Sequence, residues 1–198
     1  MTAPSRTLRS LNDLPAAPAA LADATLVLID YQRTYTSGPM ELDGWHPALE
    51  RAADLLARAR AAGSTVIHVV HDDGPGSLYD ANGETGRIHE LVAPVEGERV
   101  VVKHAPNAFV GTELGELVDA AGRADLVIAG FMTHMCVTFT AEGAFLRGDR
   151  ATVVADACAT RALPSLADAV PAAELHRAAL ATIGDLYAVV VASADELG

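Results

Sequence analysis

Six short stretches of this chain carry almost no polar side chains: ATLVLI (24–29), STVIHVV (64–70), RVVV (99–102), DLVIA (125–129), RATVVA (150–155) and YAVVV (187–191). A strand with one wet face alternates apolar and polar residues. A strand that reads apolar throughout must be covered on both faces, and that is the pattern of a parallel sheet sandwiched between helices. The segments between these runs have helical spacing, at 47–62, 112–121, 133–147 and 174–183. In the first of them Pro47 sits near the first turn, Leu49, Ala52, Leu55, Leu56 and Ala59 form one apolar face, and Gly63 suits the C-terminal cap. The alternation predicts an α/β fold, a three-layer α/β/α sandwich whose doubly wound, six-stranded sheet is mainly parallel.

Residues 1–22, rich in Ala, Pro and Ser, read as an N-terminal arm, and 23–198 as a single Rossmann-like domain. The 198 residues are 51% hydrophobic and 20% charged, enough apolar material for one sizeable core. The formal net charge is −12, with no basic stripe, so neither nucleic acid nor an anionic membrane is an expected partner. No apolar run is long enough to cross a bilayer. Pro15 and Pro18 interrupt the N-terminal segment, so a signal peptide is not expected. Two cysteines, Cys136 and Cys158, are no disulfide framework, and a reduced, cytoplasmic setting fits them. Neither GxGxxG nor GxxxxGK[ST] occurs, which removes the main sequence support for nucleotide binding. No cofactor is expected.

In an open parallel sheet, ligands bind beyond the carboxyl ends of the strands. Three reactive residue types stand at such ends. Asp30 follows LVLI, Lys103 follows VVV, and Cys136 lies in the first turn of the helix after DLVIAG. Taken singly, Asp30 reads equally well as a helix cap, Lys103 as a surface charge and Cys136 as a small buried hydrophobe. Together they make a nucleophile with its supports. A thiolate is favoured at a helix N-terminus beside an ammonium group, and a neighbouring carboxylate can take the thiol proton and later return one to a leaving group.

The segment GFMTHMC (130–136) resembles the GxxTxxC signature of the isochorismatase-like cysteine hydrolases, which include nicotinamidases and N-carbamoyl amidases. LVLIDYQ is similar to that family's strand followed by D-x-Q, VVVKHAPNAF to its strand followed by Lys, a small residue and Phe, and VVADACAT to its next strand. The resemblance spans residues 24 to 191. It implies a small-molecule substrate, with Asp30 as general base and acid, Lys103 as electrostatic support and Cys136 as the attacking nucleophile. It also implies a cis Phe131–Met132 peptide, with an oxyanion hole formed by the N–H groups of Met132 and Cys136. Vinyl ether hydrolysis does not need a thiol, so a chain that keeps all three residues resembles the amidase side of the family. It is expected to cleave a non-peptide C–N bond in an amide, lactam or carbamoyl compound. Isochorismatase-type ether hydrolysis is the alternative, and a thiol redox protein, lacking C-x-x-C, a weaker one.

The family's metal pattern, D-x-H after the second strand, is replaced here by His71-Asp72-Asp73. No metal is expected, although His71, Asp73 and His89 are ligand types. Tyr31, Tyr35, Trp45, His71, Asn107, Phe109 and His134 stand near the catalytic loops. They are expected to line a slot for a small planar substrate, unless they serve only as packing around those loops. His68 and His176 read as structural, and Cys158 as packing. By analogy with the family, a homo-oligomer, dimer or tetramer, is expected.

Overall fold

The computed structural model describes residues 5–166 and 168–198. Six strands form one sheet: β1 (Ala24–Ile29), β2 (Thr65–His71), β3 (Arg99–Lys103), β4 (Asp125–Gly130), β5 (Arg150–Val154) and, closing the chain, β8 (Val189–Val191). Their order is β3-β2-β1-β4-β5-β8, and every neighbouring pair is parallel. The chain winds from β1 outward to β3, returns across the sheet to β4, then winds outward the other way. The reversal falls between β1 and β4, where a doubly wound sheet opens its crevice. A two-stranded antiparallel hairpin, β6 (Leu163–Pro164) with β7 (Ala169–Val170), lies outside the sheet.

The central strands are mostly apolar because both of their faces are covered, and Thr25 and His68 are the buried polar exceptions in β1 and β2. All six residues of β1 are buried, as are Leu126, Val127, Ile128 and Ala129 of β4. Helix α2 (Trp45–Ala62) buries Ala48, Leu49, Ala52, Leu55, Leu56 and Ala59 and covers one face. Helices α3 (Leu114–Ala121), α4 (Thr138–Arg147) and α5 (Ala172–Thr182) cover the other, as right-handed crossovers in the opposite direction require. Arg147 on α4 reaches the Gly115 carbonyl and Asp119 on α3, and α4 packs on α5. The lead-in contains one short helix, α1 (Leu8–Leu11). It is tied to the body by Leu8 N–H to Asp185 (2.9 Å), Arg9 to the Leu186 carbonyl (3.1 Å) and Ala19 N–H to Thr152 (2.9 Å).

Several element ends differ from the sequence reading. Lys103 and His71 complete their strands instead of following them. Ala155 leaves β5 for a 3-10 turn, and Tyr187 ends a π-type turn, Ile183–Tyr187, that extends α5. The segment 133–147 is not one regular helix. It starts as a π-type turn, Thr133–Val137, and becomes α-helical at Thr138.

Candidate active site

Beyond Ile29 the chain leaves β1 by a sharp bend. Asp30 has φ 53°, in the left-handed region that few non-glycine residues occupy. The bend is fixed on both sides: Asp30 N–H donates to the Val69 carbonyl (2.9 Å), and Gln32 N–H to the Asp30 carbonyl (2.7 Å). The buried Gln32 side chain completes the clamp. Its amide donates to the carbonyls of His71 (2.9 Å) and Gly86 (2.7 Å), and its oxygen accepts from His71 N–H (2.9 Å). Gln32 thus ties the end of β1 to the end of β2 and to the long polar stretch that follows.

Lys103 ends the edge strand β3, two strands from β1, a separation of about 10 Å between strand axes. Its four-carbon stem spans that gap inside the protein. The ammonium lies 2.8 Å from Asp30 Oδ2, 3.3 Å from Cys136 Sγ and 3.1 Å from His71 Nδ1. Asp30 and Lys103 have no exposed surface, and Cys136 is 5% exposed.

Cys136 is delivered by the turn after β4. At Gly130 an added Cβ would stand 2.3 Å from the Ile29 carbonyl oxygen, so only glycine allows β4 to lie this close to the end of β1. The Phe131–Met132 peptide is cis. Phe131 N–H donates to Ile29 (3.0 Å), and Thr133 N–H to Ala159 (2.9 Å). The Thr133 hydroxyl pairs with the Ala159 carbonyl and with His176 Nδ1 on α5. In the π-type turn Val137 N–H bonds Met132 O (3.3 Å), and the thiol of Cys136 faces the Lys103 ammonium.

Burial sets the electrostatics of this cluster. Burial pushes the Asp30 carboxyl above its ordinary range, and the Lys103 ammonium partly offsets this. The Cys136 thiol is pushed up to about 12, first by burial and then by the Asp30 charge, against the pull of Lys103. For Lys103, burial works against the ammonium, but attraction to Asp30 and Cys136 outweighs it and raises the value. The sequence reading of a thiolate favoured by its helix start is therefore incomplete. Desolvation beside a carboxylate keeps the resting thiol protonated. The Asp30 carboxyl is approached by the Lys103 ammonium and by the Cys136 thiol, the group whose proton it would take, and neither of its oxygens is saturated by hydrogen bonds among the described residues.

The remaining candidates separate into two groups. Tyr35 and His71 join the cluster. Tyr35 is buried, stacks edge-on to Phe131 (5.9 Å) and sits against Tyr79 (5.9 Å). His71 bonds Lys103 through Nδ1 and Asp73 through Nε2 (2.9 Å). His134, half-buried, pairs with the Thr160 hydroxyl. Tyr31 instead turns into the core, its hydroxyl donating to the Ala157 carbonyl and its ring set edge-on against Phe131 (4.7 Å). Trp45 lies by His46 and His89, while Asn107 caps its own turn through Phe109 N–H, and Phe109 lies under Arg147. Their contacts are not with the carboxylate, ammonium and thiol. No group of three His, Cys, Asp or Glu side chains suited to a metal occurs among the described residues, and His89 accepts from Leu91 N–H. His68 is bonded to Glu98 (2.8 Å). Cys158 is a free, buried thiol that donates to the Val154 carbonyl.

Sequence reasoning missed Tyr79 and Arg161. Tyr79 packs edge-on against His71 (5.0 Å) and is the one Phe, Trp or Tyr between residues 72 and 98, a signal that was available. Arg161 bears on both Tyr79 and His134, and its Nε is buried without a hydrogen-bond partner among the described residues.

A doubly wound sheet with Asp, Lys and Cys gathered at its switch point defines a recognisable class of hydrolase. The isochorismatase domain model matches residues 24–195, and the chain belongs to the isochorismatase family. It is 35% identical over 188 residues to the secreted isochorismatase effector Isc1 of Verticillium dahliae, covering 94% of this chain and 97% of that one. It is 37% identical over 179 residues to the streptothricin hydrolase of Streptomyces noursei (89% and 71% covered), and 31% identical over 153 residues to the maleamate amidohydrolase of Pseudomonas putida (69% and 72%). An isochorismatase from Pseudomonas putida KT2440 superposes with a TM-score of 0.94 at 38% identity, covering 99% of this chain and 100% of that one.

Proposed function

We propose that this protein is a cysteine hydrolase that cleaves a non-peptide C–N bond in a small amide, lactam or carbamoyl compound. The observation that carries the reading is the buried ammonium of Lys103, 2.8 Å from Asp30 Oδ2 and 3.3 Å from Cys136 Sγ. Amide-cleaving relatives support it, the maleamate amidohydrolase by its name.

In this reading the Cys136 proton passes to Asp30 as the sulfur adds to the carbonyl carbon. The transfer moves one negative charge from Asp30 to sulfur, both beside the same ammonium, so the total charge around Lys103 is unchanged. A thiol near 12 is thus no obstacle: the nucleophile forms in the attack rather than beforehand. The oxyanion is taken by the N–H groups of Met132 and Cys136. Met132 N–H is paired with no backbone carbonyl among the described residues, and one such donor lowers a barrier by roughly 3–4 kcal/mol. The amine then leaves with the proton from Asp30 and a thioester remains. Water attacks it, giving a proton to Asp30, and collapse releases the acid and restores the thiol. Tyr35 and Tyr79 border this cluster and, with His134, are proposed to shape the substrate slot.

The test is a screen of small amides, lactams and carbamoyl compounds, read by release of ammonia or amine. Turnover is expected to fall about 10³-fold or more in Cys136→Ser with the fold intact, and a trapped adduct to map to Cys136. Amide hydrolysis retained in that variant would mean another nucleophile. Vinyl ether hydrolysis that survives Cys136→Ala would mean the ether-cleaving branch of the family.

A further inference from the structure

His71 does more than border the site. A lysine ammonium has three hydrogens and no lone pair. The Lys103 ammonium is ion-paired with Asp30 Oδ2 (2.8 Å) and donates to Cys136 Sγ (3.3 Å), and beyond that pair its one further acceptor among the described residues is His71 Nδ1 at 3.1 Å. Nδ1 must therefore carry the lone pair, which puts the ring hydrogen on Nε2. That hydrogen meets Asp73 Oδ1 at 2.9 Å. Asp73, acceptor-only when ionised, holds the ring in the one tautomer that can receive Lys103.

The backbone makes this arrangement rigid. His71 and Lys103 are register partners at the ends of β2 and β3, so their side chains leave the sheet on the same face. Gln32 holds the His71 main chain at both its N–H and its carbonyl. Tyr79 lies edge-on to the imidazole at 5.0 Å and limits its tilt.

We infer that His71, oriented by Asp73, is a positioning residue that fixes the Lys103 ammonium between Asp30 and Cys136. This rests on the roles proposed above for Lys103 and Cys136. With its third hydrogen engaged, the ammonium cannot rotate away from the sulfur while the proton moves to Asp30. Without His71, the remaining acceptors for that hydrogen are the Asp30 oxygens, and the ammonium turns or shifts toward them, away from the sulfur. Negative charge on the sulfur then loses its nearest donor.

The experiment needs no substrate. Alkylation of Cys136 by iodoacetamide, assigned by peptide mass mapping, is followed against pH in the full chain and in His71→Ala, His71→Asn, Asp73→Ala and Lys103→Met. The titratable groups facing the thiol are Asp30, Lys103, Tyr35 and Tyr79, and they are present in every variant except for Lys103 in the last. His71→Ala is expected to raise the pH midpoint by about one unit, a tenfold slower reaction at fixed pH. His71→Asn, whose amide oxygen takes the place of Nδ1, is expected to keep the rate within about threefold of the parent. Asp73→Ala is expected to fall between them. Should the alanine variant not fold, His71→Gln replaces it, since its acceptor sits one bond too far out and the same slowing is expected. Parental rate and midpoint in His71→Ala or His71→Gln, with reactivity lost in Lys103→Met, overturn the role of His71. Parental reactivity in Lys103→Met overturns the proposed triad itself.

Discussion

Asp30 and Lys103 are a fully buried ion pair, and the charge that most favours each one's ionised form, against burial, is the other's. Removing one partner of such a pair leaves an uncompensated charge and typically costs about 3–5 kcal/mol, whereas replacing both is far milder. Lys103→Met is therefore expected to lower the thermal midpoint by about 6–20 °C in a chain of this size. Asp30→Asn combined with Lys103→Met is expected to recover most of that loss without recovering hydrolysis. A thermal melt of the three variants beside the parent checks this. Equal melting of the single and double variants would mean that the pair is not coupled. Asp30, Lys103 and Cys136 could be singled out as candidates because they stand at or just beyond the ends of apolar strands and Gly130–Cys136 carries a distinctive spacing. The partners of Lys103 were not, because they depend on the register of β2 against β3, which no local pattern encodes. For the same reason His71 read as a substrate contact. Only the pairing of His71 with Lys103 across the sheet turns its ring toward the ammonium.

Among the elements, the doubly covered β1 and the one-sided face of α2 were read directly from periodicity, whereas the apolar run of β3 was read as covered on both faces and, as an edge strand, leaves Val100 and Val102 exposed. The π-type turn at Thr133–Val137 was invisible because one extra residue per turn scarcely alters a short hydrophobic pattern. The β6–β7 hairpin, with two residues per strand, has no period to detect. One cross-link between elements carries a pH dependence. Glu98, just before β3, accepts from Arg60 of α2 (2.7 and 2.9 Å), from His68 of β2 (2.8 Å) and from Val95 N–H (3.0 Å). Burial opposes its charge, but these donors outweigh it and hold the carboxyl at about 2, against 4.5 for an ordinary glutamate. A carboxyl with a depressed folded value stabilises the protein above its unfolded value and loses that contribution as pH falls through the folded one. Its contribution is thus complete above about pH 4.5 and gone near pH 2. Glu98→Gln is expected to lower the urea midpoint at pH 7 and to flatten its fall between those limits. An unchanged slope in the acid range would show that the link between α2 and the sheet edge does not depend on this charge.

For the molecule as a whole, no helix among the described residues is long and apolar enough to cross a membrane. We propose that the chain assembles as a homo-oligomer, a dimer or tetramer. The edge strand β3 supports this: Val100 and Val102 are 41% and 45% exposed, and Leu91 and Val95 in the segment leading into it are exposed too. Unpaired edges with apolar faces invite a partner. Light scattering at micromolar concentration is expected to give at least twice the 20.5 kDa chain mass, and a monomer there would contradict the proposal. The winding of the sheet also has a consequence for how the chain is made. The innermost strand, β1, is the first to be synthesised, and its partner Asp125 across from Ala24 comes 101 residues later (125 − 24). At about 5–20 residues per second, a nascent chain carries that strand with one flank unpaired for roughly 5–20 s before β4 emerges. During that interval the most apolar strand of the sheet has one edge open to solvent and to other chains.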